Sequence, residues 1–196
     1  MRIPSFLALF TSCLLLSANV TADLIKGLIA YGADDYETAV REWKASAEQG
    51  DPESQYWLGT MYDEGKGVLL DDKEAVKWYT KSAEQGDASA QYNLALMYLN
   101  GEGVIQDYKE AVKWYTKAAE QGNARAQGNL GFMYGNGNGV LQDNVYAHMW
   151  FNIANSNGNE DARDNRDLAA ERMTPGQLAE AQRLARECVK KDYRNC

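Results

Sequence analysis

Histidine is almost absent from this sequence of 196 residues, which contains a single one, His148. A Ser-His-Asp triad and a histidine-rich metal site are therefore hard to build. Cys-x-x-Cys, Ser-x-x-Lys and zinc-protease motifs are missing as well. Carboxylates are plentiful, but nothing singles out two of them as a glycosidase pair. We therefore expect no catalytic residues, no metal and no cofactor.

Clusters of basic residues are also missing. The chain has 20 Lys and Arg against 28 Asp and Glu, a formal net charge of −8. A nucleic-acid-binding protein usually shows a basic face, so we expect no nucleic-acid partner. An acidic balance favours solubility and disfavours anionic partners.

Long hydrophobic runs are limited to the N-terminus. The apolar run Phe6–Leu16 follows Arg2, precedes small residues ending at Ala22, and is too short to span a bilayer comfortably. This pattern predicts a signal peptide at 1–22, cleaved to leave Asp23 first, and a periplasmic or secreted protein without stable membrane insertion. An uncleaved anchor and a lipoprotein modified at Cys13 are the alternatives.

Cysteine is scarce, and only Cys188 and Cys196 follow the predicted leader. An even pair can close in an oxidising compartment, which makes the two residues disulfide candidates. The sequence leaves open whether one disulfide holds the C-terminal tail or two free thiols lie on a frayed end.

What the chain does contain is an internal repeat of 36 residues. Asp72–Asp107 and Tyr108–Asp143 agree at 26 of 36 positions, which is too many for chance. A fixed period of this size indicates a solenoid of helical pairs. Sustained alternation of period two is absent, so the sequence predicts an all-α fold.

Local signals agree with helical pairs. Asp71 followed by Glu74 predicts a capping box, and Gly86 lies where a helix C-terminus favours a left-handed residue. His148 occupies the position of Val76 in an earlier copy, so we expect a buried packing residue there. Glycine turns recur in every copy, at Gly65-Lys66-Gly67, Gly101-Glu102-Gly103 and Gly137-Asn138-Gly139.

The words "AQYNLALMY", "GEGV" and "AVKWYTKAAEQG" resemble the Sel-one-like repeat family, a longer relative of the tetratricopeptide repeat, in its exported bacterial type. The resemblance implies a right-handed α/α solenoid of about four to five stacked helix pairs plus a C-terminal capping helix. We expect one domain at 23–196, built from units at 23–50, 51–86, 87–122 and 123–158 and a cap at 159–196.

The resemblance also implies a groove, because the first helix of each pair lines the concave surface in such solenoids. Aromatic residues beside small gaps would make pockets there, and asparagine can hydrogen-bond a peptide backbone. The alternatives are packing between adjacent repeats for the apolar side chains and a structural hydrogen bond for Asn93 and Asn129. The groove candidates are Tyr56, Trp57, Tyr92, Asn93, Leu96, Asn129 and Phe132, with Asn165 continuing the asparagine ladder.

The expected function is therefore a non-catalytic scaffold or adaptor of the bacterial envelope that binds a protein or peptide. This expectation comes mainly from the resemblance, since no site argument carries it. The alternatives are a protein that binds cell-wall glycan or peptide, a weak hydrolase acting on that material, and a structural spacer in a larger assembly.

Overall fold

A computed structural model describes residues 22–196, so the predicted leader falls outside the described range except for Ala22. Every regular element in this range is a helix, which confirms the all-α prediction. None of the helices in this range is long and apolar enough to cross a membrane. After α1 at 22–32, the helices are α2 (Tyr36–Glu48), α3 (Pro52–Glu64), α4 (Asp72–Glu84), α5 (Ala88–Asn100), α6 (Tyr108–Ala119), α7 (Ala124–Asn136), α8 (Asn144–Ser156), α9 (Ala162–Ala170) and α10 (Pro175–Lys190).

The chain divides into two compact units. The first ends at Gln85 and its described part contains α1 to α4, and the second, Gly86–Cys196, contains α5 to α10. In each unit consecutive helices pack as pairs: α3 with α4, α5 with α6, and α7 with α8. Helices α9 and α10 both pack on α8. The result is the α/α pairing expected of a solenoid of helical repeats.

Aspartate starts the second helix of each pair, but not through the predicted capping box. The Asp71 carboxylate accepts a hydrogen bond from the Glu74 backbone N–H at 3.1 Å, as an N-cap should. The reciprocal bond is not formed, because the Asp71 N–H donates to the Tyr62 carbonyl at 3.0 Å. The Glu74 carboxylate instead pairs with Lys77 at 2.9 Å. The capping-box prediction is therefore wrong at this helix, although the cap itself is present.

The glycine turns allow the backbone to approach a neighbouring helix. Gly67 and Gly139 have φ of +68° and +73°, which side-chain-bearing residues adopt at a cost. A β-carbon at Gly67 would lie 2.5 Å from the Tyr36 carbonyl oxygen. A β-carbon at Gly139 would overlap the Tyr108 carbonyl oxygen. Each turn therefore rests on the first residue of a helix in its own unit.

A partly buried hydrogen bond between two side-chain amides, an amide rung, joins the two helices of each pair. The acceptor is a glutamine in the first turn of the first helix, and the donor is an amide just beyond the second helix. The acceptor glutamine is buried in each case and needs such a partner, because an unmet hydrogen bond is costly. The three rungs are Gln85 to Gln55 at 2.7 Å, Gln121 to Gln91 at 2.8 Å, and Asn157 to Gln127 at 2.9 Å.

Helix α10 and a folded tail form the C-terminal end. A capping box begins α10, in which the Thr174 hydroxyl and the Gln177 side chain each bond the other residue's backbone N–H. Near the end of α10, Cys188 forms a disulfide with Cys196, and their Cα atoms are 5.3 Å apart. The tail therefore folds back onto the helix it follows.

Candidate functional site

A cleft of about 660 Å³ opens in the second unit, between α7 and the segment that joins α8 to α9. Its aromatic lining consists of Tyr92 from α5, Phe132 from α7 and Phe151 from α8. A mixed aromatic and polar lining of this size is typical of a ligand site. The polar lining is Arg125, Asn129, Asn159, Glu160, Asp161 and Asn165.

The third copy of the repeat has no side chain at a cleft position where the two earlier copies have an aromatic ring. Tyr56, Tyr92 and Gly128 occupy the same position at the 36-residue spacing. A β-carbon at Gly128 would lie 2.6 Å from Nδ2 of Asn159, so this amide occupies the first part of the vacated space. The Asn159 amide donates to the Ala124 carbonyl at 3.2 Å, which holds it against α7.

Phe132 and Phe151 make the apolar part of the cleft. Their ring centroids are 5.1 Å apart with the planes at 84°, an edge-to-face contact. Phe151 is 4% exposed, whereas Phe132 is 46% exposed, the highest value of any aromatic side chain in the described range. Gly131 allows this arrangement, since a β-carbon there would lie 2.6 Å from the Phe151 ring. The two rings also line a second depression of about 170 Å³, toward Leu168.

Charged groups on the rim are available to a ligand. Arg125 lies on the α7 side, while Glu160 and Asp161 lie on the opposite side, where α9 begins. Within residues 22–196 none of the three takes part in a salt bridge. The cleft therefore presents one cation and two anions on facing walls.

The start of α9 departs from the other first helices. Asp51, Asp87 and Asn123 cap α3, α5 and α7 through their side chains. Asn159 has the same position in the repeat, but its side chain is committed to Ala124, and α9 begins only at Ala162 without a side-chain cap. The joining segment thus folds differently from the equivalent turns and forms one wall of the cleft.

Tyr115 lies beneath the aromatic lining. Its ring centroid is 5.9 Å from that of Tyr92, and its hydroxyl is fully buried. Burial raises the pKa of Tyr115, and the neighbouring Asn129 acts in the opposite direction. Within the described residues this hydroxyl has no hydrogen bond of ordinary geometry. Asn129 therefore lies between the cleft and a buried polar atom.

The cleft unites some of the predicted groove residues and not others. Tyr92, Asn129, Phe132 and Asn165 all line it. The candidates outside its lining are Asn93 and Leu96, which are half-buried on α5, and Tyr56 and Trp57, which belong to the first unit.

In the first unit the aromatic candidates pack on each other. The Trp57 ring stacks on Trp43 with centroids 5.2 Å apart, and Tyr56 meets Trp57 edge-on at 5.2 Å. This is the packing alternative that the sequence left open for such side chains. The polar and aromatic cleft residues that sequence reasoning missed are Arg125, Phe151, Asn159, Glu160 and Asp161. The sequence signal that was overlooked is the change from Tyr79 and Tyr115 to Phe151 at the same repeat position.

His148 is 4% exposed and is not part of the cleft lining. Burial lowers its pKa, Arg166 lowers it further, and Asp167 acts in the opposite direction. Its Nδ1 atom has no hydrogen-bond partner in the described part of the chain. Among residues 22–196 no group of three or more His, Cys, Asp and Glu side chains is placed to hold a metal ion.

Comparison with known protein families finds a repeat family whose model matches this chain. The model of the Sel1 repeat matches three consecutive segments, 52–87, 88–123 and 124–159, which together make up more than half of the chain. These segments begin one residue after the units expected from the sequence. A comparison with curated proteins gives no match.

Two solved structures are similar to this chain. A Sel1 repeat protein from Oxalobacter formigenes is 37% identical over 74% of this chain and 59% of its own, with a TM-score of 0.70. The protein c5321 is described as a protective antigen of uropathogenic Escherichia coli strains displaying an SLR fold. It is 32% identical over 91% of this chain and 47% of its own, with a TM-score of 0.55. The present chain thus spans less than two thirds of either protein.

Proposed function

Because the chain belongs to the Sel1 repeat family, we propose that it is a non-catalytic scaffold of the bacterial envelope that binds an extended segment of a partner protein. The proposed site is the cleft between α7 and the α8–α9 segment. Sel1 repeats generally mediate protein interactions, and both similar structures are bacterial, which supports the proposal.

The observation that carries the proposal is the exposure of Phe132. An aromatic ring exposed at 46% leaves much of its apolar surface in water, which costs solvation free energy, whereas the adjacent Phe151 is buried. Exposed apolar side chains at the edge of a concave site are typical anchors for a partner. A partner that covers Phe132 would therefore bury apolar surface that the fold itself leaves exposed.

The polar groups suit a peptide backbone. The amides of Asn129 on α7 and Asn165 on α9 offer both donors and acceptors to the cleft. The Asn165 amide already donates to the Asp161 carbonyl at 2.9 Å, which leaves its side-chain oxygen for a backbone N–H of the partner. An extended segment with an apolar side chain at Phe132 can use both amides.

The envelope location is supported by the leader-like N-terminal sequence. An apolar run of this length, after a single arginine and before small residues, is typical of a cleaved signal peptide. Sequencing the N-terminus of protein recovered from the periplasm or the medium should give Asp23. A protein that retains Met1 would contradict export by cleavage.

The test of binding is affinity capture from envelope extract with the purified protein and two variants. Phe132→Ala removes the exposed ring from the cleft. Tyr108→Ala is the matched control, because Tyr108 is 38% exposed and outside the cleft lining. A partner should enrich on the native protein and on Tyr108→Ala, and be lost from Phe132→Ala, with all three equally helical by circular dichroism.

A third variant tests the origin of the cleft. Gly128→Tyr restores the residue of the two earlier copies and should fill the cleft, so the partner captured by the native protein should again be lost. Enrichment of the partner that persists in both Phe132→Ala and Gly128→Tyr would exclude the cleft as the binding site.

Binding of isolated cell-wall polymer that survives protease treatment of that polymer would favour the glycan-binding alternative. The supporting observation for this alternative is that Glu160 and Asp161 lie beside the aromatic rings.

A further inference from the structure

The tail after α10 has left-handed backbone at three residues that carry side chains, one of them a tyrosine. Asp192, Tyr193 and Asn195 have left-handed φ of +50°, +64° and +54°. Each such residue costs conformational energy when it carries a side chain, most of all the tyrosine. A free C-terminus with this backbone would fray. The disulfide from Cys188 to Cys196 encloses all three residues and supplies the constraint.

The enclosed tail binds two turns of the second unit. The Tyr193 hydroxyl donates to Oδ1 of Asn157 at 3.0 Å, just beyond α8. The Tyr193 ring covers Gly122, where a β-carbon would lie 3.6 Å from the ring. The Asn195 backbone N–H donates to the Glu120 carboxylate at 2.9 Å, at the end of α6. One short loop therefore links the ends of two helices.

Both turns lead directly into the candidate cleft. The turn after α6 continues into Ala124 and Arg125, and the turn after α8 continues into Gly158 and Asn159, all of which line the cleft. The Asn157 side chain that Tyr193 contacts also donates to the buried Gln127 on α7 at 2.9 Å. Tyr193 thus extends the amide rung that joins α7 and α8.

We propose that the Cys188–Cys196 disulfide is a redox-controlled brace for the two turns that border the cleft. When the bond is intact, Tyr193 and Asn195 stay on their partners. When it is reduced, the left-handed residues lose their constraint and the tail detaches from Asn157 and Glu120. The two turns then open more often. Control of ligand affinity by this brace rests on the proposed function, whereas the brace itself does not.

The reductant of this switch is a dithiol, and the exchange is balanced. A thiolate of the dithiol attacks Sγ of Cys196, which is half-buried, whereas Cys188 is 3% exposed. The disulfide breaks and Cys188 leaves as a thiolate that takes up a proton. The second thiol of the dithiol then displaces Cys196, so two electrons reduce the protein and the dithiol becomes a disulfide.

Hydrogen exchange on the ligand-free protein tests the brace. Adding dithiothreitol should raise exchange by about tenfold or more in 120–125 and 157–162. The matched control segment, 48–53, has the same repeat position in the first unit and should not change. The Cys188→Ser, Cys196→Ser double variant should exchange at the reduced rate with or without dithiothreitol.

A second variant separates the brace from a general loss of stability. Tyr193→Phe keeps the disulfide and loses only the bond to Asn157, so exchange in 157–162 should rise about fivefold in oxidised protein while 120–125 keeps its rate. Equal exchange in the oxidised and reduced protein, or an equal rise in 48–53, would overturn the proposal. Because no ligand is present, failure of the capture experiment and failure of the brace are distinguishable.

Discussion

The second and third copies of the repeat, 88–123 and 124–159, have the same backbone plan but different outer faces. In the second copy Lys113 and Lys117 lie over the Trp114 ring, with ammonium nitrogens 5.6 Å and 4.1 Å from its centroid. In the third copy the equivalent residues are Met149 and Ile153, both buried. Helix α10 packs on α8 and replaces solvent at this face. The change from lysine to apolar residues therefore marks where the array ends, since buried ammonium groups would be costly.

The inner faces of the copies differ just as much. In the first unit the Tyr79 hydroxyl donates to Asp63 at 3.1 Å and contacts Thr60 at 3.3 Å. One repeat later the residues at the equivalent positions are Tyr115, Leu96 and Leu99. In the third copy the residues are Phe151, Phe132 and Gly135. The polar contact of the first unit is thus replaced in the third copy by a cleft with a mixed aromatic and polar lining, while the helices stay in place.

The largest expected effect comes from exchanging the residues of the outer faces. Ile153→Lys places an ammonium group under α10 and removes a buried aliphatic side chain, so we expect a loss of about 3 kcal/mol or more in the free energy of unfolding. Lys117→Ile is the matched control on the uncovered face, with an expected change within about 0.5 kcal/mol. Urea unfolding followed by circular dichroism measures both. Equal changes in the free energy of unfolding of the two variants would show that packing of α10 does not make the outer face of the third copy different from that of the second.

Much of the fold was predictable from the sequence. Asp71, Gly86 and the glycine turns act through their neighbours in the chain, so their roles follow from local rules. The capping box failed because the Asp71 N–H binds the carbonyl of Tyr62, a contact between helices that local spacing does not encode. Local signals predict elements, and contacts between elements decide which polar groups remain available.

The site was only partly predictable for the same reason. Phe132 and Tyr92 were predicted as groove candidates, because they are aromatic residues on the first helix of a pair. The wall with Asn159 was not, because its side chain leaves the capping role that its repeat position predicts and crosses to Ala124. The repeat gives the expected residue at each position, and the cleft forms where the third copy departs from that expectation.

An intermediate effect should distinguish the first and second copies. Tyr79→Phe removes a hydroxyl with two polar neighbours and should lower the free energy of unfolding by about 1 kcal/mol. Tyr115→Phe removes a buried hydroxyl without a hydrogen bond, so its free energy of unfolding should stay the same or rise. Parallel urea titrations give both values. A loss of the same size in Tyr115→Phe would mean that Asn129 does accept or donate a hydrogen bond there.

The smallest effect that we expect is a pH dependence confined to the third copy. His148 replaces the Val76 and Val112 of the earlier copies, and burial lowers its pKa below the ordinary value of about 6.5. Below about pH 6.5 the unfolded chain therefore takes up a proton more readily than the folded chain. The contribution of the neutral imidazole to the free energy of unfolding is complete above this pH, and it is lost as the pH falls through the folded-state pKa. Arg166 lowers the pKa further, and Asp167 acts in the opposite direction.

His148→Val isolates this effect, because the variant carries the residue of the other copies. The difference in melting temperature between the variant and the native protein should grow in favour of the variant as pH falls from 7.5 to about 5. Titration of carboxylates elsewhere in the chain affects both proteins alike and cancels in this difference. A difference that stays constant across this range would mean that His148 takes up its proton equally readily in the folded and unfolded chains, and the third copy would then differ from its neighbours in packing alone.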